Sequence, residues 1–155
     1  MEVLKESTID LRFQQVNLSY SDPGVVRGLH FQTKNPQGKL IGVIAGHVID
    51  VVVDLRIGSP TYGILESFEL REMNQMVFVP EGFAHGFWAV DKSYFYYQCT
   101  TEYNAGSDGG INPMDNDLDL PWSAHIGKGD LLVTPKDIAL PYLKDFVSPF
   151  IYNGS

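Results

Sequence analysis

Short hydrophobic runs separated by turn-forming residues recur along the first hundred positions of the chain. The runs are rich in Val, Ile, Phe and Tyr, and Gly, Pro, Asn or Ser separates most of them, which is typical of β-strands. This pattern predicts strands at 11–17, 25–33, 40–46, 48–55, 64–70, 76–79, 83–90 and 94–100. So many short strands favour an all-β barrel or jelly roll, because closure of the sheet removes exposed edges.

The last third of the chain has a different character. After Thr101 the sequence is rich in Gly, Asn and Asp, and we expect loop there. The segment 135–146 (PKDIALPYLKDF) predicts a short helix packed across the barrel. We find no internal repeat and no linker, so the length predicts a single domain over residues 1–155.

Charge and cysteine content narrow the classes of function. Eleven basic and 19 acidic residues give a net charge of −8 with no basic run, which argues against a nucleic-acid binder. No secretory signal is apparent, and polar residues interrupt the most apolar stretch, 40–55, so we expect no membrane span. The single cysteine, Cys99, is expected to be a buried free thiol in a cytoplasmic protein.

Two histidine-bearing clusters carry the candidate chemistry. In the first, 24–32, alternation along a strand places His30 and Gln32 on the same face, directed into the barrel, with their neighbours packing outward. In the second, 80–87, His85 shares its face with two phenylalanines. A closed barrel would therefore bring both histidines towards one interior space.

The spacing of these clusters resembles the two cupin motifs. The matching positions are Gly24, His30 and Gly46 in the first motif and Pro80, Gly82 and His85 in the second. The metal ligands of that superfamily are not retained, since Gln32 replaces a histidine and the expected glutamate has no clear counterpart before Lys39. Two histidines beside an ammonium make a poor site for a divalent metal, so we expect neither a metal nor another cofactor.

Five ordered blocks resemble a narrower family, the dTDP-4-dehydrorhamnose 3,5-epimerases. The blocks are RGLHFQ, QGKL, GHVIDVVVDLRIGSPTYG, PEGFAHGF and the late dipeptide KD, spread over about residues 11 to 142. The resemblance implies an antiparallel cupin β-barrel with a short C-terminal helical segment, and a homodimer. It also implies that a dTDP-4-keto-6-deoxyhexose is inverted at C3, C5 or both during deoxysugar biosynthesis.

A 4-keto group acidifies the neighbouring C–H bonds, because the resulting carbanion is delocalised onto the ketone oxygen. Inversion then needs a base on one face, an acid on the other and a cation for the enolate. The resemblance implies His30 as the base, Asp137 as its orienting partner, Lys39 as the cation and Tyr97 as the acid. A core position is the alternative for Tyr97, which lies in an aromatic run.

The resemblance also implies a set of substrate-binding side chains. These are Gln15, Asn17, Arg27, Gln32, His85 and Tyr103. Arg27 would contact a phosphate. His85 would line the pocket without acting as the base, and Tyr103 would influence where the sugar is protonated.

Some family features are missing from this sequence. Relatives carry a further N-terminal segment that helps to hold the nucleotide, and two of their arginines correspond to Gly42 and Gln75 here. We therefore expect a weaker grip on the diphosphate than on the reacting sugar. Two alternatives stay open: a non-catalytic cupin that binds a sugar or sugar nucleotide, and a 3,4-ketoisomerase on the same scaffold.

Overall fold

The computed structural model describes residues 11–71 and 75–154. The prediction that the N-terminus carries no secretory signal concerns residues 1–10, which lie outside that range. The strands are β1 (Gln15–Ser21), β2 (Val25–Gln32), β3 (Lys39–Ala45), β4 (Val48–Asp54), β5 (Leu65–Leu70), β6 (Met76–Val79), β7 (Phe83–Ala89), β8 (Ser93–Cys99), β9 (Asp108–Gly110) and β10 (Leu132–Val133). A one-turn helix, α1, spans Pro135–Ile138, and 3-10 turns span Ala105–Ser107, Ser123–His125 and Leu143–Asp145. No helix within the described range is long and apolar enough to cross a membrane.

Two sheets face each other. The four-stranded sheet has the order β1-β8-β3-β6, and the larger sheet has the order β10-β2-β7-β4-β5, with β9 also paired to β2. Every pairing between these strands is antiparallel except β10 with β2. The predicted antiparallel β-barrel with a short helical segment near the C-terminus is confirmed.

Hydrophobic side chains are buried on both faces of the larger sheet. One cluster fills the space between the two sheets and includes Ile41, Val52, Phe87 and Phe95. A second cluster lies on the outer face, where Leu29 and Phe31 of β2 pack with Trp122 and with residues of the C-terminal segment. The C-terminal segment therefore covers β2, and this packing brings α1 to the rim of the barrel.

The first strand lies further along the chain than predicted. It covers Gln15–Ser21 instead of 11–17, and its pattern is inverted: the polar residues face the barrel interior while Val16, Leu18 and Tyr20 are exposed. The predicted strand ends at Asn17, whereas the observed strand continues to Ser21. A polar interior cannot be inferred from a rule that places hydrophobic residues inside.

The expectation of loop after Thr101 is wrong at two places. Strand β9 pairs with β2 although it contains Gly109 and Gly110, and β10 runs parallel to the start of β2. A Cβ at Gly109 would lie 2.7 Å from the ring of Phe31, so only glycine allows this approach. The requirement for close packing removes the β-branched side chains that would have signalled a strand.

Strands β2 and β7 approach very closely at Gly28 and Gly86. Gly28 has φ +121°, and a Cβ on Gly86 would lie 2.5 Å from the carbonyl oxygen of Arg27. The register between the two strands shifts at this point, between Arg27 and His30. A bulge of this kind changes which face the following side chains occupy.

We expect Gly86→Ala to lower the free energy of unfolding by about 1–3 kcal/mol, because the added methyl group overpacks the β2–β7 contact. Urea denaturation measures the change. The control is Gly42→Ala in β3, where the nearest atom to an added Cβ is 3.3 Å away, at the Gln75 carbonyl oxygen. Equal effects of the two substitutions would contradict the close approach.

Candidate active site

Two neighbouring cavities, of about 330 and 310 Å³, open inside the barrel and share His30, Lys39 and Tyr97. The first cavity is also lined by Arg27, His85, Phe95, Thr134, Lys136 and Asp137. The second is also lined by Gln15, Asn17, Gln32, Cys99, Tyr103 and Asp108. The structure thus brings every predicted site residue to one continuous space, with the four predicted catalytic side chains around the junction or beside it.

The bulge in β2 explains why Arg27 and His30 reach the same cavity. Residues three apart on a regular strand point to opposite faces. The register shift between them places Arg27 opposite Phe87 and His30 opposite His85, and both Arg27 and His30 line the first cavity. Simple alternation could not have placed these two residues together.

His30 is hydrogen-bonded to Asp137, with Nε2 2.7 Å from Oδ1. Asp137 lies in α1, where the Thr134 side chain caps the helix by accepting a hydrogen bond from the Asp137 backbone N–H. Burial raises the pKa of Asp137, but hydrogen bonds from His30, the Gly28 backbone and Thr134 outweigh burial and leave the pKa below its ordinary value. The carboxylate therefore stays ionised and accepts a hydrogen bond from the imidazole N–H.

A second histidine–carboxylate pair lies beside the first. His85 Nε2 is 2.7 Å from Asp50 Oδ2, and both side chains are almost completely buried. Burial raises the pKa of Asp50, while His85 and Lys39 act in the opposite direction. Among the described residues, the other oxygen of Asp50 has no hydrogen-bond partner. His85 is therefore held firmly against the cavity wall.

Lys39 and Tyr97 occupy the junction of the two cavities. Burial lowers the pKa of Lys39, whereas Cys99, Asp108 and Asp50 act to raise it. Burial also raises the pKa of Tyr97, so its hydroxyl stays protonated at neutral pH and is able to donate a proton. The cavity therefore places an amine beside a protonated phenol.

Arg27 is exposed at the mouth of the first cavity. Its guanidinium donates to the Ser21 hydroxyl and to the Tyr20 carbonyl, at 3.4 and 3.5 Å, and so keeps its charge available to an anion. Gly42, in contrast, lies where an added side chain would meet Gln75 and Met76 on the outer face of β3. Gly42 is therefore not among the residues that line the two cavities, and the weaker grip on the diphosphate stays a prediction.

The predicted amide side chains organise the wall of the second cavity. Gln15 donates to Asn17 at 2.8 Å and accepts from the backbone N–H of Tyr103 at 2.7 Å. Gln32 accepts from the Asn104 backbone N–H at 2.6 Å and donates to the Asn35 carbonyl at 2.8 Å. These bonds fix the loop that carries Tyr103.

Sequence reasoning missed two features of the site. One is the hydrogen bond between Asp50 and His85. The other is Lys136, whose ammonium is 2.6 Å from Asp108 Oδ2. In the sequence, the KD dipeptide indicates only Asp137 as a site residue. The glycine-rich sequence around Asp108 does not indicate that Asp108 lines a cavity.

Histidine, cysteine and carboxylate side chains do not form a metal-binding group of three or more anywhere in residues 11–71 and 75–154. Cys99 is buried and forms no disulfide. The polar groups of the cavity instead form pairs, each suited to hold or move a proton.

A barrel of this topology with paired acid–base groups in its interior defines a cupin-type enzyme fold. The family model for dTDP-4-dehydrorhamnose 3,5-epimerase matches residues 1–145, and the chain belongs to that family. A dTDP-4-dehydrorhamnose 3,5-epimerase from Methanothermobacter thermautotrophicus is 44% identical over 137 residues, covering 87% of this chain and 74% of that protein.

Two further comparisons show the range of the family. A dTDP-4-dehydrorhamnose 3-epimerase from Streptomyces niveus is 41% identical over 130 residues, covering 82% of this chain and 61% of that protein. The crystal structure of dTDP-6-deoxy-D-glucose-3,5-epimerase from Legionella pneumophila, in complex with dTDP-4-keto-L-rhamnose, superposes with a TM-score of 0.80 at 40% identity. That alignment covers 90% of this chain and 73% of the other.

We expect His85→Ala to lower the free energy of unfolding by about 3–5 kcal/mol at neutral pH, since Asp50 is then a buried carboxylate without its partner. Without His85 the pKa of Asp50 rises further, so the unfolded chain releases this proton at lower pH than the folded chain. The stability of the variant should therefore fall as pH rises above about 4, in urea denaturation measured across that range.

The matched control is His125→Ala. His125 is also 2.7 Å from an aspartate, Asp130, but that pair is exposed. Its removal should cost at most about 1.5 kcal/mol, because solvent screens the exposed ion pair and the contact of the ring with Trp88, at 5.0 Å between centroids, is the main loss. A loss of stability in His85→Ala that does not depend on pH would contradict the expected rise in the pKa of Asp50.

Proposed function

We propose that this protein is a cofactor-independent epimerase that inverts C3, C5 or both in a dTDP-4-keto-6-deoxyhexose. The observation that carries the proposal is the hydrogen bond between His30 and Asp137 in a cavity shared with Lys39 and Tyr97. This set matches what proton exchange beside a ketone needs: a base, a cation and an acid. The names and the bound ligand of the similar proteins support the nucleotide sugar as substrate.

His30 acts as the base in this mechanism. The ionised Asp137 accepts a hydrogen bond from Nε2–H, which leaves the lone pair of the neutral ring on Nδ1. Nδ1 takes the proton from C3 or C5, and the electron pair of the C–H bond moves through the new C=C bond onto the ketone oxygen. Asp137 then stabilises the imidazolium that forms.

Lys39 and Tyr97 complete the reaction. The ammonium of Lys39 lies at the junction of the cavities and stabilises the enolate oxygen. The phenol of Tyr97 returns a proton to carbon from the opposite face, which inverts the centre and restores the ketone. Solvent then reprotonates Tyr97 and removes the proton from His30, so the cycle consumes no co-reactant.

Deuterium exchange tests this function directly. In D₂O the wild type should incorporate deuterium at C3, C5 or both of a dTDP-4-keto-6-deoxy sugar. NMR spectra of the sugar measure this incorporation. His30→Asn should lower exchange by about 10²–10⁴-fold, the usual contribution of a general base, while binding of dTDP in calorimetry stays unchanged. Tyr97→Phe should retain proton removal but lose inversion, because the base and the acid act on opposite faces.

His125→Asn, on an exposed loop outside both cavities, is the control and should behave as the wild type. Full exchange in His30→Asn would show that His30 is not the base. Binding of the sugar nucleotide by the wild type without exchange at either carbon would overturn the epimerase and favour a binding protein. Formation of a 3-keto product would indicate a ketoisomerase.

We propose further that two copies of this chain pair through the outer face of the four-stranded sheet. That face exposes a set of large apolar side chains: Val16, Leu18, Tyr20, Ile44, Met76 and Tyr94. Among the described residues, strand β1 also lies at the edge of its sheet, and an edge strand can pair with a second copy through its backbone groups. A second copy would cover both features in a single symmetric contact.

Leu18→Glu should weaken this dimer, because it places a charge in the centre of the apolar face. In sedimentation velocity at micromolar concentration we expect a dimer for the wild type and a monomer for Leu18→Glu. The control is Leu132→Glu, since Leu132 is similarly exposed, at 55% against 59%, but lies in the other sheet. A monomeric wild type would contradict the proposal.

We infer a cytoplasmic location from the thiol chemistry. Cys99 is buried, unpaired and adjacent to Lys39 across the β3–β8 pairing. A free thiol is typical of a reducing compartment, which supports a cytoplasmic location.

A further inference from the structure

One carboxylate joins the two cavities at their mouth. Oδ2 of Asp108 accepts hydrogen bonds from the Lys136 ammonium at 2.6 Å and from the Tyr103 hydroxyl at 3.3 Å. Lys136 lines the first cavity, whereas Asp108 and Tyr103 line the second. The three side chains connect two segments that are distant in sequence and that both carry site residues.

Each of the two segments is held at its backbone by other parts of the site. The loop with Tyr103 is fixed by Gln15 and Gln32, through the backbone N–H groups of Tyr103 and Asn104. Asp108 starts β9 and pairs with Gln32 of β2. Lys136 directly precedes Asp137, the partner of His30. The backbone around Asp108 is therefore rigid enough for its side chain to position a neighbour.

Tyr103 depends on that side chain for its orientation. Its residue is 53% exposed, so packing alone leaves the ring free to move. The carboxylate of Asp108 is mostly covered, at 17% exposure, and the ammonium of Lys136 balances its charge. A hydrogen bond to an ionised acceptor is stronger than one to a neutral group, so Asp108 is able to fix the phenol.

The position of Tyr103 matters for the order of inversion. C3 and C5 lie on opposite sides of the ketone carbon, so a single acid at Tyr97 reaches both only when the sugar shifts between two placements. Tyr103 lines the same cavity as Tyr97, so the position of its phenol would limit those placements. An anchored phenol and a free one therefore allow different ratios of reaction at the two carbons.

We propose that Asp108, held by Lys136, is a positioning residue that fixes the Tyr103 hydroxyl and thereby sets the ratio of proton exchange at C5 to that at C3. This role rests on the epimerase function proposed above. It adds two residues to the site and assigns them selectivity, not proton transfer.

The test is a double-mutant cycle read out as the ratio of deuterium incorporated at C5 and C3. Asp108→Ala and Tyr103→Phe should each change that ratio in the same direction by about fivefold or more, as expected for loss of a charge-assisted hydrogen bond. The double variant should change it no further, because both substitutions break one contact. Lys136→Met should change the ratio by a smaller factor, whereas Lys136→Arg should leave the ratio at its wild-type value.

The matched controls come from another lysine–aspartate pair. Lys144 and Asp117 are 4.0 Å apart, exposed, and line neither cavity. Lys144→Met and Asp117→Ala should leave the ratio unchanged. ¹³C spectra of labelled tyrosine rings provide a readout without substrate: Asp108→Ala should shift the Tyr103 signals and leave those of Tyr97 in place.

The possible outcomes separate the two proposals. Exchange in the wild type with an unchanged ratio in Asp108→Ala overturns the positioning role alone. Additive changes in the double variant show that Asp108 acts through another residue, which also overturns it. A wild type that exchanges at neither carbon overturns the epimerase function itself, and the assigned selectivity with it.

Discussion

The hydrogen bond between His30 and Asp137 joins residues 107 positions apart and ties the chemistry of the cavity to the folding of the whole chain. Asp137 reaches His30 because the C-terminal segment lies over β2. That segment is held by hydrophobic side chains on the outer face of the strand, Leu29 and Phe31 among them. The outer face of β2 therefore holds the segment that carries the Asp137 carboxylate, and the inner face of the same strand carries His30, which binds that carboxylate.

The distribution of charge explains how an acidic protein keeps a site for an anionic substrate. The net charge is −8, yet Arg27, Lys39 and Lys136 line the first cavity. The carboxylates at the cavity are already engaged, Asp137 by a histidine and Asp108 by a lysine. Arg27 donates only to neutral oxygens among the described residues, so its charge stays available to a phosphate.

Hydrophobic periodicity predicts most of this fold, because barrel strands alternate regularly, and the family resemblance supplies most of the candidate site. The failures occur where another constraint overrides that alternation. Strand β1 turns its polar face inward, and glycines replace strand-forming residues where β9 packs against Phe31. The bulge that brings Arg27 to the face of His30 depends on contact with β7, which is distant in sequence. Asp108 belongs to the site only through such pairing, so no local pattern could have identified it.

Two histidine–aspartate pairs of equal length stand next to each other across β2 and β7, and burial distinguishes their roles. The side chain of His30 is 35% exposed and that of His85 is 8% exposed, while both aspartates are buried. A base must release its proton to solvent after each turnover, which requires contact with water. His85 lines the same cavity but is much less exposed, and its partner Asp50 is a buried carboxylate whose pKa is raised by burial. The difference in exposure therefore supports the proposal that His30 transfers the proton, with His85 as a fixed contact for the substrate.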